Sequence, residues 1–294
     1  MIDLLAARAA SSWRAPATQR VASHEDVARR IHGKSHHVAR WFRASAFAAT
    51  AGREVASFAR QAVLLPYDTL APVIPDGARD GDEVVVILHG LFASAGVLRP
   101  LRTAIERHAA MSRASRARGR TDPARAEPPW SVHTATMSYA PGPGVEALSA
   151  RLAALVAALP DGARLHLVGH SMGGIVCRFF AQEVGDPRVV QTISMASPFG
   201  GIPRAGLLGF GGARDLDASS PVLRRVLLGT ARSSVPHLSI VAGADTLVRS
   251  PIAHALPGGE VRVMEGRGHN TLLFDPEVAA LVARHIVARR GPVR

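Results

Sequence analysis

Hydrophobic residues follow two alternating patterns along the chain. Short apolar runs such as Glu83–Leu88 are typical of strands buried on both faces of a sheet. Segments such as 145–159 carry apolar residues at every third or fourth position, which indicates helices. The predicted strands are Glu83–Leu88, Val132–Tyr139, Arg164–Val168, Val189–Met195, His237–Val241 and Glu260–Met264, and the predicted helices include Val145–Leu159, Gly173–Val184 and Pro276–Ala288. This alternation predicts an α/β fold with a mostly parallel central sheet and helices on both faces.

The segment before residue 80 has a helical pattern of its own. Its apolar stripe consists of Val38, Trp41, Phe42, Ala46, Ala49, Val55, Phe58, Ala62 and Leu65. We expect this stripe to pack against the protein's own core, although the arginines beside Trp41 and Phe42 also suit a helix at a membrane surface. Residues 1–80 are therefore predicted to form a helical N-terminal extension, and residues 81–294 the main α/β domain.

Two segments interrupt the alternation. Residues 112–130 are rich in arginine and proline, which predicts a solvated surface loop. Residues 200–234 are longer than an ordinary α/β connection and carry Leu207, Leu208 and Phe210 among glycines. Long apolar excursions of this kind are often lids, so a cap is predicted over 200–234.

Composition narrows the class of protein. The 294 residues are 47% hydrophobic and 20% charged, which is ordinary for a globular domain. The net charge of +12 comes almost entirely from arginine in an alanine-rich chain, which we interpret as genomic composition and not as nucleic-acid binding. Cys177 is the single cysteine, so neither an intramolecular disulfide nor a cysteine metal site is expected. Without a secretory h-region or a membrane-spanning run, a cytoplasmic location is expected.

A candidate nucleophile lies where a predicted strand meets a predicted helix. Gly169-His170-Ser171-Met172-Gly173 fits the pattern G-x-S-x-G. A sharp strand-to-helix turn exposes the serine hydroxyl, and flanking glycines allow that turn without side-chain clashes. The N-terminal end of the following helix would also stabilise a developing oxyanion. Ser171 is therefore predicted to be a nucleophile.

A serine nucleophile needs a base and an acid that orients it. Asp245 and His269 each follow a later predicted strand, in the order serine, acid, histidine. The carboxyl ends of parallel strands meet at one edge of the sheet, so these side chains should converge there with Ser171. The weaker alternatives are Asp215 and Asp217 in the cap, His254 before the next strand, and His170 beside the serine.

Two backbone amides should form the oxyanion hole. One is the amide of Met172, which follows the nucleophile, and the other comes from the loop after the first strand. Leu91 is the predicted second donor, with Phe92 as the alternative. Apolar residues of this loop and of the cap are predicted to contact the substrate: Phe92, Leu207, Leu208 and Phe210.

These motifs together resemble bacterial lipases and esterases of the α/β-hydrolase superfamily, including triacylglycerol-lipase-like members, over residues 83–288. The residues that carry the resemblance are His89-Gly90-Leu91, Gly169–Gly174, Ala196–Gly201, Ser220–Arg225 and Gly268-His269-Asn270. The resemblance implies hydrolysis of carboxylic esters through an acyl-serine intermediate, beneath a mobile cap. No cofactor and no metal site are expected.

Several alternatives share these residues. A thioesterase or an acyltransferase would use the same serine, histidine and oxyanion hole. A protein that kept the fold and lost the chemistry would bind a ligand only. The apolar residues of the cap favour a small ester or a lipid as substrate, with peripheral contact to a lipid interface as a further expectation.

Overall fold

A single parallel sheet organises the chain. The computed structural model describes residues 40–118 and 130–290. Side chains are described for residues 49–115 and 130–290. The strands are β1 (Glu83–Leu88), β2 (Val132–Thr136), β3 (Arg164–His170), β4 (Val189–Met195), β5 (His237–Ala242) and β6 (Glu260–Met264). They lie in the order β2-β1-β3-β4-β5-β6, and every pairing is parallel. The predicted α/β class and parallel sheet are confirmed.

Helices connect the strands and precede the first. They are α1 (Arg40–Leu64), α2 (Arg99–Arg118), α3 (Val145–Ala157), α4 (Met172–Phe179), α5 (Gly211–Asp215), α6 (Pro221–Gly229) and α7 (Pro276–Arg289). A π-helical turn, Phe180–Val184, extends α4, and short 3-10 turns include Pro251–His254 and Thr271–Phe274. None of the described helices combines the length and apolarity needed to cross a membrane.

The apolar strand residues divide between the two faces of the sheet. In β1, Val84 and Val86 pack into one hydrophobic core, while Val85 and Ile87 pack into the other. Side chains alternate in direction along a strand, so a continuous apolar run fills both cores at once. Helices α3 and α4 pack together over the first core, and α2 and α7 pack together over the second.

The order in which strands are added to the sheet reverses at β1. From β1 the chain passes to β2 on one side, and then to β3 on the other side. A crevice opens at the carboxyl ends of the strands where the order reverses, and ligands in open α/β sheets bind there. The loops after β1, β3, β5 and β6 all leave from this edge.

Several predicted boundaries were wrong. The strand at 132–139 ends at Thr136, because Ser138 turns away to bond the carbonyl oxygen of Asp68 at 2.7 Å. The first part of the predicted loop at 112–130 is helical, as far as Arg118, because alanine and arginine favour a helix. Residues 119–129 lie outside the described residues.

The N-terminal helix does not pack as predicted. Its stripe residues Val55, Phe58 and Leu65 are exposed, whereas Ser57 is buried and Glu54 and Gln61 are half-buried. The helix therefore rests on the domain through these polar residues and through Leu64, which packs against the second core and is not part of the predicted stripe. Val38 and the side chains of Trp41, Phe42 and Ala46 lie outside the described residues.

Candidate active site

Ser171 lies on a strained turn between β3 and α4. Its backbone has φ 53° and ψ −125°, a conformation that non-glycine residues rarely adopt. A methyl group added at Gly169 would lie 2.2 Å from the carbonyl carbon of Gly173, and one at Gly173 would lie 2.5 Å from the carbonyl oxygen of His89. Both glycines are therefore required by close backbone contacts, and the turn holds the serine at the N-terminus of α4.

Asp245 and His269 form a hydrogen-bonded pair at the same edge of the sheet. His269 Nδ1 lies 2.7 Å from Asp245 Oδ2, so Nδ1 donates and Nε2 is left to act as a base. The other oxygen of Asp245 accepts the amides of Leu247 and Val248, each at 2.8 Å. Burial alone would raise the pKa of Asp245, but the hydrogen bond from His269 and these neighbours hold it below its usual value.

A second histidine contacts the same carboxylate. His254 Nε2 lies 3.5 Å from Asp245 Oδ2 and 3.1 Å from the carbonyl oxygen of Val248, while its Nδ1 accepts the amide of Ala242 at 3.4 Å. The proton is therefore on Nε2, directed at the turn that carries Asp245. Burial lowers the pKa of His254, which keeps the ring neutral. His254 therefore contacts the carboxylate of Asp245 from the loop that follows it.

The other alternative residues have structural contacts. His170 Nε2 donates to the carbonyl oxygen of His269 at 3.0 Å, and burial lowers the pKa of His170 to about 3. Asp215 accepts the amide of Val145 at 2.6 Å, which caps α3 from the cap segment. Asp217 accepts the amides of Gly206 and Ser219 within the cap.

The loop after β1 is fixed by a tyrosine that the sequence did not single out. Tyr139 stacks on His89 with ring centroids 3.9 Å apart, its hydroxyl donates to the carbonyl oxygen of His89, and its amide donates to His89 Nε2 at 3.2 Å. His89 Nδ1 then donates to the carbonyl oxygen of Gly90 at 2.7 Å. Burial lowers the pKa of His89 to about 4, so the ring is neutral. A neutral ring donates from Nδ1 and accepts at Nε2, as these hydrogen bonds require.

The amides predicted to form an oxyanion hole are unused donors. Neither Leu91 nor Met172 donates its backbone N–H to another described residue. A methyl group at Gly90 would lie 2.8 Å from Cβ of Ser171, so the loop after β1 packs directly against the serine. Phe92 has a positive φ of 59° and is 61% exposed, with its ring edge-on to Phe210.

Ser171 and His269 open into one apolar cavity of about 500 Å³. Of the four predicted substrate contacts, Phe92 and Leu208 line this cavity. Leu207, which is 82% exposed, and Phe210, whose ring lies edge-on to Phe92, do not line it. Lining residues that were not predicted to contact the substrate come from the N-terminal segment, from the cap and from the loop after β5: Phe58, Gln61, Ala62, Leu65, Ile202, Ala205, Ala213, Leu216 and Leu247. Within the described ranges, no group of three or more His, Cys, Asp or Glu side chains could hold a metal ion.

Known structures share this architecture. A metagenomic carboxyl esterase is 18% identical, with 74% of this chain and 79% of that chain covered and a TM-score of 0.51. A structure from work on the metagenome-derived lipolytic enzymes LipS and LipT is 16% identical, with 77% and 99% covered and a TM-score of 0.52. A monoacylglycerol lipase of Paleococcus ferrophilus is 14% identical, with 71% and 97% covered and a TM-score of 0.50.

The sequence itself has no match among known families or curated proteins. At the identities of the solved structures the likeness establishes the fold. The chain therefore has the α/β-hydrolase fold, as its sequence motifs predicted.

Proposed function

We propose that this protein is a serine hydrolase that cleaves carboxylic esters with an acyl or lipid group. The observation that carries the proposal is the hydrogen bond of 2.7 Å between His269 and Asp245, beside a cavity that also contains Ser171 on its strained turn. A nucleophile, a base and an acid that orients the base are the groups that acyl transfer requires.

In the proposed reaction the Ser171 hydroxyl attacks the ester carbonyl carbon while His269 takes its proton. The amides of Met172 and Leu91 stabilise the resulting oxyanion. The carbon–oxygen bond to the alcohol then breaks, His269 gives its proton to the departing alcohol, and an acyl-serine remains. Water attacks this ester with His269 as base, which releases the carboxylic acid and restores Ser171.

The cavity supports an acyl substrate. Its walls are mostly aliphatic or aromatic, and polar side chains are concentrated where Ser171, His269 and Asn270 lie. An acyl chain buried against such walls gains about 0.8 kcal/mol for each methylene group removed from water. A sugar or a peptide would leave polar groups unpaired there.

The proposal is tested with p-nitrophenyl esters of increasing acyl length. Ser171→Ala and Asp245→Asn should each lower kcat by about 10⁴-fold. Ser234→Ala, an exposed hydroxyl near β5, is the matched control and should keep wild-type activity. Hydrolysis that persists in Ser171→Ala would exclude the proposed nucleophile.

A fluorophosphonate probe separates the enzyme from a protein that only binds a ligand. Labelling at Ser171 requires an activated hydroxyl, so the wild-type protein should be labelled and Ser171→Ala should not. Absence of labelling together with absence of ester hydrolysis would favour a binding protein. Faster turnover of an acyl thioester than of the matched oxygen ester would instead favour a thioesterase.

A further inference from the structure

The helix that precedes the catalytic fold contacts the loop that carries the proposed base. Glu54 of α1 accepts four hydrogen bonds there. Its Oε1 accepts the amide and the side-chain amide of Asn270 at 2.8 and 3.0 Å, and its Oε2 accepts the amide and hydroxyl of Thr271 at 3.1 and 2.8 Å. These residues directly follow His269.

Each oxygen of the Glu54 carboxylate accepts two of the four hydrogen bonds. Two of the donors are backbone amides at the start of the 3-10 turn Thr271–Phe274, where free N–H groups favour an acceptor with negative charge. A methyl group at Gly268 would lie 2.3 Å from Glu54 Oε2, so the residue before His269 must be glycine for this approach. Glu54 therefore packs against Gly268, which precedes His269, and bonds Asn270 and Thr271, which follow it.

Other residues of α1 hold the same loop. Gln61 Nε2 donates to Asn270 Oδ1 at 2.5 Å, and Arg53 donates to the carbonyl oxygen of Gly266 at 2.8 Å. From the opposite side, His170 donates to the carbonyl oxygen of His269. The loop 266–271 is thus bonded from two directions, and α1 supplies the bonds that the sheet does not.

We propose that Glu54 is a positioning residue that holds His269 in place for acyl transfer, through Asn270 and Thr271. The inference rests on the function proposed above. Glu54 itself contacts neither Ser171 nor Asp245. It acts on the direction of the His269 ring, because the backbone that carries the ring is fixed by its bonds to the carboxylate.

The test uses Glu54→Ala and Glu54→Gln in the full chain. The glutamine keeps the size of the side chain but presents an NH₂ group to the amide of Thr271, so two donors face each other. We expect kcat to fall by about 10- to 100-fold in Glu54→Ala and less in Glu54→Gln, with KM changed by less than about threefold, because a displaced catalytic group loses rate and not binding. The rate of labelling by the fluorophosphonate should fall in the same ratio as kcat.

Two further measurements separate positioning from a general effect on folding. Glu183→Gln removes a carboxylate bonded to Arg225, away from the site, and should leave kcat unchanged. Asn270→Ala combined with Glu54→Ala should cost less than the sum of the single changes, since both remove the same support. A drop in kcat that tracks only the loss of folded protein at the assay temperature would overturn the inference.

The outcomes distinguish the two proposals. If the wild-type protein hydrolyses esters and Ser171→Ala does not, while Glu54→Ala and Glu54→Gln both retain wild-type kcat, the positioning role is wrong and the proposed function stands. If the wild-type protein is neither active nor labelled, the proposed function fails first.

Discussion

At the residue scale, the loops that form the site are held by side chains from other parts of the fold: Tyr139 bonds the loop after β1, and Glu54 bonds the loop after β6. The placement of Ser171 and His269 on one cavity, with His269 bonded to Asp245, could be predicted because each residue follows a strand within a short motif. Tyr139 and Glu54 contact His89 and Asn270, which lie 50 and 216 positions away along the chain. No spacing rule connects such pairs, because the fold alone brings them together.

At the residue scale, the glycines of the serine turn can be tested for their packing. Gly169→Ala should lower the free energy of unfolding by about 1–3 kcal/mol, because the new methyl group meets backbone atoms that cannot rotate away. Gly142→Ala is the matched control: a methyl group there meets nothing within 4 Å. It should change stability by less than about 0.5 kcal/mol.

Urea unfolding of the two variants measures this difference. Equal midpoints for Gly169→Ala and the wild-type protein would show that the turn tolerates a side chain. The close approach between β3 and α4 would then not be what requires glycine at this position.

At the element scale, strands were predicted well and the orientation of α1 was not. The central strand β1 is a continuous apolar run, which is typical of a strand buried on both faces of a sheet. In contrast, α1 binds the domain through Glu54, Ser57 and Gln61 and through Leu64, while the described apolar residues of the predicted stripe turn outward or toward the cavity. Amphipathic patterns assign the apolar face to the core, so this reversal could not be predicted.

The position of α1 beside the cavity predicts an effect on substrate choice. Ala62 lines the cavity, whereas Ala59, on the same helix, does not. Ala62→Trp should fill part of the acyl space and lower kcat/KM for long-chain esters by about 10-fold or more relative to short-chain esters, since each lost methylene contact weakens binding. Ala59→Trp adds the same bulk on the exposed side of the helix and should leave this ratio unchanged.

The ratio of kcat/KM for a 12-carbon and a 4-carbon p-nitrophenyl ester measures the effect. An identical ratio in Ala62→Trp and the wild-type protein would mean that the acyl group lies elsewhere in the cavity. The cap residues would then determine chain length.

At the scale of the whole molecule, buried neutral histidines link stability to pH. Burial lowers the pKa of His89 and of His285 to about 4 and that of His170 to about 3, and it lowers the pKa of His237 well below its usual value. His237 is bonded to the hydroxyl groups of Thr192 and Ser194, which need no charge. These rings lie at both ends of the sheet, so their protonation changes the stability of the whole domain and not of the site alone.

The sign of the pH dependence follows from these shifts. An unfolded chain binds protons at its histidines as the pH falls through about 6.5, while the folded protein does not until about pH 4, so unfolding takes up protons between these values. The free energy of unfolding should therefore fall from pH 7 to pH 5, by up to about 1.4 kcal/mol per pH unit for each such histidine. Urea unfolding at pH 7, 6 and 5 measures this pH dependence. His285→Gln should make the free energy of unfolding depend less steeply on pH, because the contribution of one histidine is removed. A constant free energy of unfolding across this range would show that these rings titrate in the folded protein as they do in the unfolded chain.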